Sequence, residues 1–321
     1  MALLSPDSKD AKQVEAERVA SDAAEALTEE RVATQKSGKR RAQSYWAVSW
    51  NIFKKNKLGM FCLVVVILLV LIAVFAPLLA PYDPYAQELS NRYQAPGGAH
   101  PFGTDEFGRD LLSRMIYGCR VSLSVGVMSQ AIALVIGFLA GVCAGYFGGR
   151  VDSIISFIIQ VFSSFPFLLF AIVVMFVLGP GLINLYVALG LLMWTGTARL
   201  VRGDVMRLKG SEYIQSCILS GGSSWRVIIK HLLPNCVSTL IVTSTLGIPN
   251  AILSEASLSF LGLGVQPPMA SWGQMISAAR QVIQSNTYYS IIPGVAIIIT
   301  VMAFNLLGDA LRDALDPKMR S

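Results

Sequence analysis

The segment EYIQSCILSGGSSWRVIIKHLLPN, residues 212–235, decides the fold because it is polar and basic and lies between two long apolar runs. Apolar residues in its first half recur at helical spacing, and Ser211 precedes them as a candidate N-cap. The pair Gly221-Gly222 should break this helix, and Pro234 should end the second short helix that follows. A segment too polar for lipid, but joined to membrane spans at both ends, must lie at the membrane surface with one face open to a partner.

Composition places most of the chain in a membrane. The 321 residues are 54% hydrophobic and only 14% charged, with a mean hydropathy of +0.56, which is too apolar for an ordinary soluble domain. The net charge of +6 comes from short basic blocks beside apolar runs, as in cytoplasmic loops, so we expect no nucleic-acid partner. The 5 cysteines form no Cys-x-x-Cys pair and the 2 histidines are far apart, so we expect neither a metal site nor catalytic residues.

The apolar runs predict an all-α membrane protein with six transmembrane helices. Lysines before the first run favour a cytoplasmic start, and the basic residues around residues 212–235 put that segment on the same side. Six crossings would return both termini to the cytoplasm. The predicted spans are residues 58–80, 121–149, 154–178, 182–198, 237–263 and 291–307.

The regions outside the spans also have predicted roles. Residues 1–44 contain few large apolar side chains and should form a disordered cytoplasmic extension. Residues 45–57 combine aromatic residues with lysines, which predicts a helix in the cytoplasmic interface or a plain start to the first span. Within the six-span domain, residues 58–321, we expect an external loop at residues 81–117 and a cytoplasmic loop at residues 203–233.

Two features inside the spans predict how the helices pack and bend. Gly137, Gly141 and Gly145 recur every four residues, which allows another helix to approach closely. Pro166 follows two serines in the third span, which predicts a local kink that exposes backbone carbonyls to a pore. A membrane proline that is merely tolerated is the alternative.

Glu255 is the single acidic residue of the fifth predicted span. A carboxylate near the middle of a membrane costs roughly 2.5 to 3.5 kcal/mol on insertion scales, so this residue should face the bundle interior, a water-filled path or the outer boundary. We predict that Glu255 and Pro166 line or gate a path through the membrane. For Glu255, a structural hydrogen bond to a neighbouring serine is the alternative.

Several motifs, in order along the chain, resemble the permeases of binding-protein-dependent ABC importers. Gly221 followed by Leu233-Pro234 is similar to that family's coupling loop, and residues 308–317, GDALRDALDP, match its C-terminal pattern. Residues 103–110, GTDEFGRD, resemble the signature at the second span of the dipeptide, oligopeptide and nickel permease subfamily. The motif positions are Gly103, Thr104, Asp105, Gly108, Arg109 and Asp110.

Without the resemblance, the residues of this external motif predict a surface cap over the outer mouth. The cap would consist of a turn at Gly103 and a short amphipathic helix that begins at Thr104 or Asp105 as N-cap.

The resemblance implies the type I ABC importer permease fold and a contact between the coupling loop and an ATPase. The positions implied in that contact are Glu212, Tyr213, Gln215, Ser216, Cys217, Gly221, Arg226 and Pro234. The family has Glu-Ala-Ala where this chain has Gln215, Ser216 and Cys217, so the family's acidic residue is missing from the contact. An ordinary cytosolic helical hairpin is the alternative for this segment.

The sequence contains no Gly-x-x-x-x-Gly-Lys-Ser/Thr phosphate loop, so we expect no cofactor in this chain and a non-catalytic role. ATP and Mg would be bound by two partner ATPase subunits. The resemblance also implies a second homologous permease subunit, an extracytoplasmic substrate-binding protein, a lipid bilayer at the cell's inner or plasma membrane, and short peptides as substrates.

Other functions stay open at the level of sequence. Nickel, glutathione or another small solute could replace the peptide, because selectivity in this family lies largely in the binding protein. A stand-alone secondary transporter should show internal repeats and several intramembrane ionisable residues, whereas only Glu255 appears. An intramembrane hydrolase would need a nucleophile and a base at membrane depth, and no predicted span contains a histidine or paired acids.

Overall fold

The computed structural model describes residues 45–316, and its regular structure is helical. The predicted N-terminal extension at residues 1–44 and Pro317 of the C-terminal motif lie outside the described residues. The first helix, α1, is Tyr45–Lys55, within the region predicted to lie at the interface; its membrane placement stays a prediction. Residues from 52 onward belong to one compact unit.

The compact unit contains eleven further helices within the described residues. In chain order they are α2 Lys57–Val74, α3 Ala76–Leu79, α4 Leu111–Phe147, α5 Gly149–Ser164, α6 Phe167–Leu178, α7 Leu182–Lys209, α8 Glu212–Leu219, α9 Ser224–Val227, α10 Leu233–Phe260, α11 Trp272–Ala279 and α12 Tyr288–Leu315. Short 3-10 turns occur at Leu89–Asn91 and Arg280–Val282, and a π-helical turn at Ile228–Leu232 joins α9 to α10.

Four helices of the described chain are long and apolar enough to cross a membrane: α2, α4, the helix formed by α9 and α10 together, and α12. The pair α5 and α6 would add a fifth crossing as one broken span. The remaining predicted span coincides with the first half of α7, whose second half is charged. The chain is therefore a multi-pass membrane protein, and the count of six stays a prediction.

Helices extend beyond the predicted spans at several ends. The second predicted span begins at residue 121, but α4 begins at Leu111; the fourth ends at residue 198, but α7 ends at Lys209. The first turns of α4 therefore fall within residues 81–117, the stretch predicted as an external loop, and the side of the membrane on which that stretch lies stays a prediction. The cause is physical: an apolar run marks the depth of the lipid, whereas a helix can continue into water or protein.

The predicted kink at Pro166 is a complete break. α5 ends at Ser164 and α6 begins at Phe167, with an angle of 94° between them. Proline has no amide hydrogen to donate and disfavours helical backbone in the residue before it, and Phe165 is accordingly extended with ψ of 139°. Phe165 and Pro166 are both exposed.

The close approach predicted from the glycine repeat is confirmed, and the partner helix is α7. A Cβ atom at Gly137 would lie 2.6 Å from Thr197 Cβ, and one at Gly141 would lie 2.7 Å from the carbonyl oxygen of Ala198. At Gly145 the corresponding distance to the carbonyl oxygen of Arg202 is 2.9 Å. Because these contacts recur over two turns, α4 and α7 pack backbone to backbone along this stretch.

Candidate functional site

The coupling segment, defined here as residues 211–234, is a helical hairpin closed by a glycine turn. α8 ends in a Schellman motif, in which the amide of Gly221 donates to Ile218 O and the amide of Gly222 donates to Cys217 O, both at 3.0 Å. Gly221 has φ of +79°, a conformation that costs residues with a Cβ. The helix, glycine turn and second helix predicted from the sequence are therefore present.

The predicted end of the second helix at Pro234 is wrong. α9 passes through the π-helical turn into α10, and Pro234 lies in the first turn of α10. The π turn lets the amide of Leu233 donate to Ile228 O, five residues earlier. The chain stays helical through Pro234 because the wider π turn immediately before it accommodates the missing amide hydrogen.

One face of the coupling segment is anchored to the bundle. Ile214, Val227 and Leu232 are fully buried. They pack with side chains from α4, α7 and α10, namely Val142, Tyr146, Val201, Val205 and Cys236. The segment should therefore move together with these helices rather than independently of them.

The opposite face carries large exposed apolar side chains. Leu219 is 86% exposed and Trp225 is 73% exposed, and Tyr213 is also exposed. Among the other residues predicted for ATPase contact, Glu212, Gln215, Ser216, Gly221, Arg226 and Pro234 are exposed, and Cys217 is half-buried. Tryptophan, tyrosine and arginine are the residue types enriched at protein-binding hot spots, and Trp225, Tyr213 and Arg226 are all exposed on this segment.

Gln215 occupies the position at which the resembled family has an acidic residue. Its Nε2 donates to the carbonyl oxygen of Lys209 at 3.2 Å, across the turn between α7 and α8. Cys217 Sγ lies 3.7 Å from His231 Nε2, which joins α8 to the π turn. Both side chains therefore contribute to the internal structure of the hairpin.

Polar contacts connect α7 to its neighbours at the same end of the bundle. Arg202 Nε and Nη2 donate to the two carboxylate oxygens of Asp152 on α5, at 2.5 and 2.7 Å. Lys209 Nζ donates to the carbonyl oxygen of Tyr146 on α4 at 2.6 Å. Thr239 on α10 donates to Asp204 on α7. These contacts link α7 to α4, α5 and α10 at the end of the bundle that carries the coupling segment.

The motif at residues 103–110 forms a buried polar cluster, and its place as a cap over an outer mouth stays a prediction. Thr104, Asp105, Arg109 and Asp110 are all buried. Asp105 Oδ2 lies 2.6 Å from Arg109 Nε, and Asp105 Oδ1 accepts the amides of Phe107 and Arg109 at 2.9 Å. Such a carboxylate is nearly saturated with donors, which is how a buried charge becomes tolerable.

The glycines of the motif are required by close backbone contacts. Gly103 and Gly108 have φ of +80° and +74°. A Cβ at Gly108 would lie 1.8 Å from the carbonyl oxygen of Glu88, and one at Gly103 would lie 2.3 Å from that of Gln94. The loop therefore folds back on residues 88–94 at distances that only glycine permits.

The predicted N-cap at Thr104 or Asp105 is wrong, because Asp110 caps α4. Asp110 Oδ2 accepts the amide of Ser113 at 2.7 Å, and Asp110 Oδ1 lies 2.9 Å from His100 Nδ1. Thr104 instead links two stretches of the loop, since its Oγ1 accepts the amide of Gln94 at 2.8 Å. Both residue types suit an N-cap, and only the tertiary contacts decide between them.

The cluster continues from the loop into three helices. Arg114 Nε on α4 lies 3.3 Å from Asp105 Oδ2, and its Nη2 donates to Gln274 Oε1 on α11 at 3.2 Å. Tyr289 on α12 donates its hydroxyl to Glu106 Oε2 at 2.6 Å. The loop is therefore held against α4 by a buried ion pair and against α12 by a charge-assisted hydrogen bond, and Arg114 joins α4 to α11.

Glu255 faces the packed interior of the protein in this structure. It is fully buried, and its Oε1 accepts the hydroxyls of Ser259 at 2.6 Å and Ser271 at 2.7 Å. Those serines accept the amides of Val265 and Gln274 in turn. The hydrogen bond to a neighbouring serine, left open by the sequence, is the arrangement observed; a role for Glu255 in a path stays a prediction.

An open groove lies on the other side of α10. It has a volume of about 540 Å³ and is lined by α6, α7 and α10. The lining residues are Phe167, Leu168, Leu192, Met193, Thr195, Asn250, Leu253, Ser254 and Ser257. Phe167, the first residue of α6, lines the groove. The break between α5 and α6 therefore lies next to the groove.

Sequence reasoning did not single out the polar residues of this groove. Asn250, Ser254 and Ser257 are spaced four and three residues apart, so they share one face of α10. Ser254 and Glu255 are neighbours in sequence, but the helix turns them to different sides. The available signal was helical periodicity of uncharged polar residues, which is weaker than a lone carboxylate in an apolar run.

Comparison with known proteins agrees with this architecture. Residues 133–321 match the family model described as the inner-membrane component of binding-protein-dependent transport systems, and residues 44–96 match the N-terminal transmembrane domain of oligopeptide transport permease C. Among solved structures, a chain of the MetNI methionine ABC transporter in an inward-facing conformation is similar, with a TM-score of 0.54 and 20% identity. That similarity covers 64% of this chain and 98% of the other, and it supports the type I ABC permease fold.

Curated relatives are similar over most of their length. The dipeptide transport system permease protein DppC of Bacillus subtilis is 43% identical, over 98% of this chain and 99% of the relative. The oligopeptide transport system permease protein OppC of the same organism is 40% identical, over 88% and 92%. The glutathione transport system permease protein GsiD of Pectobacterium atrosepticum is 41% identical, over 86% and 92%. The chain therefore belongs to the inner-membrane components of binding-protein-dependent transport systems.

Proposed function

We propose that this chain forms half of the path through which an ATP-driven importer moves short peptides. It crosses the membrane six times with both termini in the cytoplasm, the coupling segment on the cytoplasmic side and the external loop outside. The observation that carries the proposal is the coupling segment itself, in which exposed Leu219 and Trp225 flank a turn whose opposite face is anchored to α4, α7 and α10.

The energy for transport would arrive through the coupling segment. Burying a leucine or tryptophan side chain against a partner stabilises a contact by roughly 1.5–3 kcal/mol each. Two such residues beside the cation Arg226 could hold a separate ATPase subunit, which would bind ATP and Mg. Because Gln215 replaces the family's acid and binds Lys209 O, we expect this contact to depend on apolar burial rather than on an ion pair at that position.

The rest of the transporter would complete the path and deliver the substrate. The groove beside α10 is open on one side, as expected if a second, homologous permease subunit supplies the opposite wall. The external loop is held firmly by its buried polar cluster, so it offers a stable surface for an extracytoplasmic binding protein. We propose one such protein, two permease subunits and two ATPase subunits.

Short peptides are the proposed substrates because the relatives at 40–43% identity include permeases for dipeptides and oligopeptides. Glutathione is the second candidate, since a glutathione transport permease is 41% identical. Both are small solutes with amide bonds. The similar identities do not rank the two, so uptake must be measured for both.

The proposal is tested on the complete transporter reconstituted in liposomes. Uptake of a labelled dipeptide should require ATP, and Leu219→Ser with Trp225→Ser should reduce recovery of the ATPase subunits with this chain. Leu200→Ser, at an exposed leucine of α7, is the matched control and should leave recovery unchanged. Wild-type recovery in the double variant, or uptake that proceeds without ATP, would contradict the proposal.

A further inference from the structure

The groove between α6, α7 and α10 has a chemical character that the coupling mechanism does not explain. Its wall combines apolar residues with four uncharged polar side chains, and none of the nine residues that line it is charged. A volume of about 540 Å³ is within the usual range for small-molecule sites, roughly 300–1,000 Å³. The wall can therefore accommodate a ligand of dipeptide size without selecting for charge.

The polar side of the groove on α10 is rich in hydrogen-bond acceptors. Ser254 and Ser257 each donate their hydroxyl proton to a carbonyl oxygen of their own helix, at 2.7 and 2.9 Å. Asn250 uses its amide nitrogen in the same way, donating to Leu246 O at 3.2 Å. The single proton of each serine hydroxyl is engaged, so Ser254 Oγ and Ser257 Oγ remain for a ligand as acceptors. Asn250 offers Oδ1 as a third acceptor and keeps one Nδ2 proton as a donor.

The spacing of these acceptors matches an extended peptide. From Asn250 to Ser257 the helix rises roughly 10.5 Å. An extended chain of three residues measures roughly 10 Å. Across the groove, Thr195 of α7 has a side-chain hydroxyl with no partner among the described residues, and it is free to donate to a peptide carbonyl.

We propose that Asn250, Ser254 and Ser257 form an acceptor row that binds the main-chain N–H groups and terminal ammonium of a peptide as it crosses the membrane. The inference rests on the proposed function and adds to it which groups of the substrate the groove wall recognises. Because main-chain groups are the same in every peptide and the wall carries no charge, the row passes peptides of different side-chain composition. It disfavours a solute whose amide hydrogens are blocked.

The test compares two probes, glycylleucine and its analogue with the central amide N-methylated, in ATP-driven uptake by the reconstituted transporter. The readout is the ratio of the two uptake rates for the wild type and for the double variant Ser254→Ala and Ser257→Ala. The binding protein is the same in both preparations, so its own preference cancels when the ratios are compared. Loss of a hydrogen bond should lower the ratio by about fivefold.

Ser244→Ala is the matched control, since Ser244 makes the same type of bond, to Leu240 O at 2.6 Å, but does not line the groove. It should keep the wild-type ratio. The inference is overturned if the double variant keeps the wild-type ratio, if Ser244→Ala lowers it equally, or if the double variant loses the second permease subunit, which would make the groove a subunit contact. Absence of ATP-driven uptake by the wild type would refute the proposed function itself.

Discussion

Arg114 and Asp105 form a fully buried ion pair, with Arg114 Nε 3.3 Å from Asp105 Oδ2. The pair joins the first turn of α4 to the external loop, and the same guanidinium reaches Gln274 on α11. Asp105 would keep a second cation if Arg114 were removed, since Arg109 Nε lies 2.6 Å from the same oxygen. Removal of Asp105 would leave Arg114 buried with only neutral hydrogen-bond acceptors, and breaking a buried pair in this way costs about 3–5 kcal/mol. The pair therefore connects the folding of the loop to the packing of the helices.

We expect Arg114→Met to lower the stability of the protein, because the buried ion pair with Asp105 is lost and Pro84 O and Gln274 Oε1 lose a charged donor. The apparent Tm of the purified protein in detergent measures the effect. Arg120→Met, at an exposed arginine of the same helix, should leave the Tm close to that of the wild type. Equal Tm values for the two variants would show that the ion pair adds no stability beyond the packing of the Arg114 side chain.

Replacement of Gly221 by valine should uncouple ATP hydrolysis from transport. Gly221 has φ of +79° and no atom within 4 Å of a Cβ built on it, so the penalty is one of backbone conformation and not of space. Left-handed backbone costs a residue with a Cβ roughly 1–2 kcal/mol, and a β-branched side chain raises that cost. The turn should then change shape and turn Leu219 away from Trp225.

The measurement for Gly221→Val is ATP-driven uptake together with ATP hydrolysis by the same preparation. Gly221→Asn should retain most uptake, because asparagine tolerates left-handed backbone. Gly203→Val is the matched control, at a helical glycine of α7 that also has no atom within 4 Å of a Cβ. Unchanged uptake in Gly221→Val would show that the conformation of this turn is not needed for coupling.

The coupling hairpin could be predicted because its signals are local. Two glycines after an amphipathic stretch determine a helix end from residues within one turn of each other. The continuation of α9 into α10 could not be predicted in the same way. A proline such as Pro234 usually marks a break in a helix. Here the π turn at Ile228–Leu232 accommodates the missing hydrogen bond, so the helix continues.

The polar residues needed tertiary information. Asp105, Thr104 and Asp110 are all favoured N-cap residue types, and only the position of His100 and of residues 88–94 assigns each its role. The lone acid Glu255 attracted the path hypothesis because charge in an apolar run is a strong signal. Which side of α10 faces the groove depends on the neighbouring helices, so it was not available from the sequence of α10 alone.

The glycine repeat of α4 makes a prediction that opposes intrinsic helix propensity. Alanine is favoured over glycine in a helix by about 1 kcal/mol, yet a Cβ at Gly141 would lie 2.7 Å from the carbonyl oxygen of Ala198. Overpacking of this kind costs typically about 1–3 kcal/mol, so Gly141→Ala should lower the apparent Tm. Gly196→Ala, at a helical glycine with open space around it, should keep or raise it. A higher Tm for Gly141→Ala would mean that α4 and α7 separate without cost.

Glu255 should act as an internal hydrogen-bond acceptor that holds the chain after α10, and this prediction separates it from a path-lining role. Its Oε1 receives two serine hydroxyls that in turn accept the amides of Val265 and Gln274. Glu255→Gln keeps a carbonyl acceptor and should retain more stability than Glu255→Leu, which leaves both hydroxyls without that partner.

A cysteine introduced by Glu255→Cys should stay unmodified by a small aqueous thiol reagent, whereas one introduced by Ser257→Cys, on the groove side, should react. Modification at position 255 in any nucleotide state would support a path-lining role for Glu255. A buried side chain reacts with an aqueous reagent only if α10 rotates or the chain after it opens.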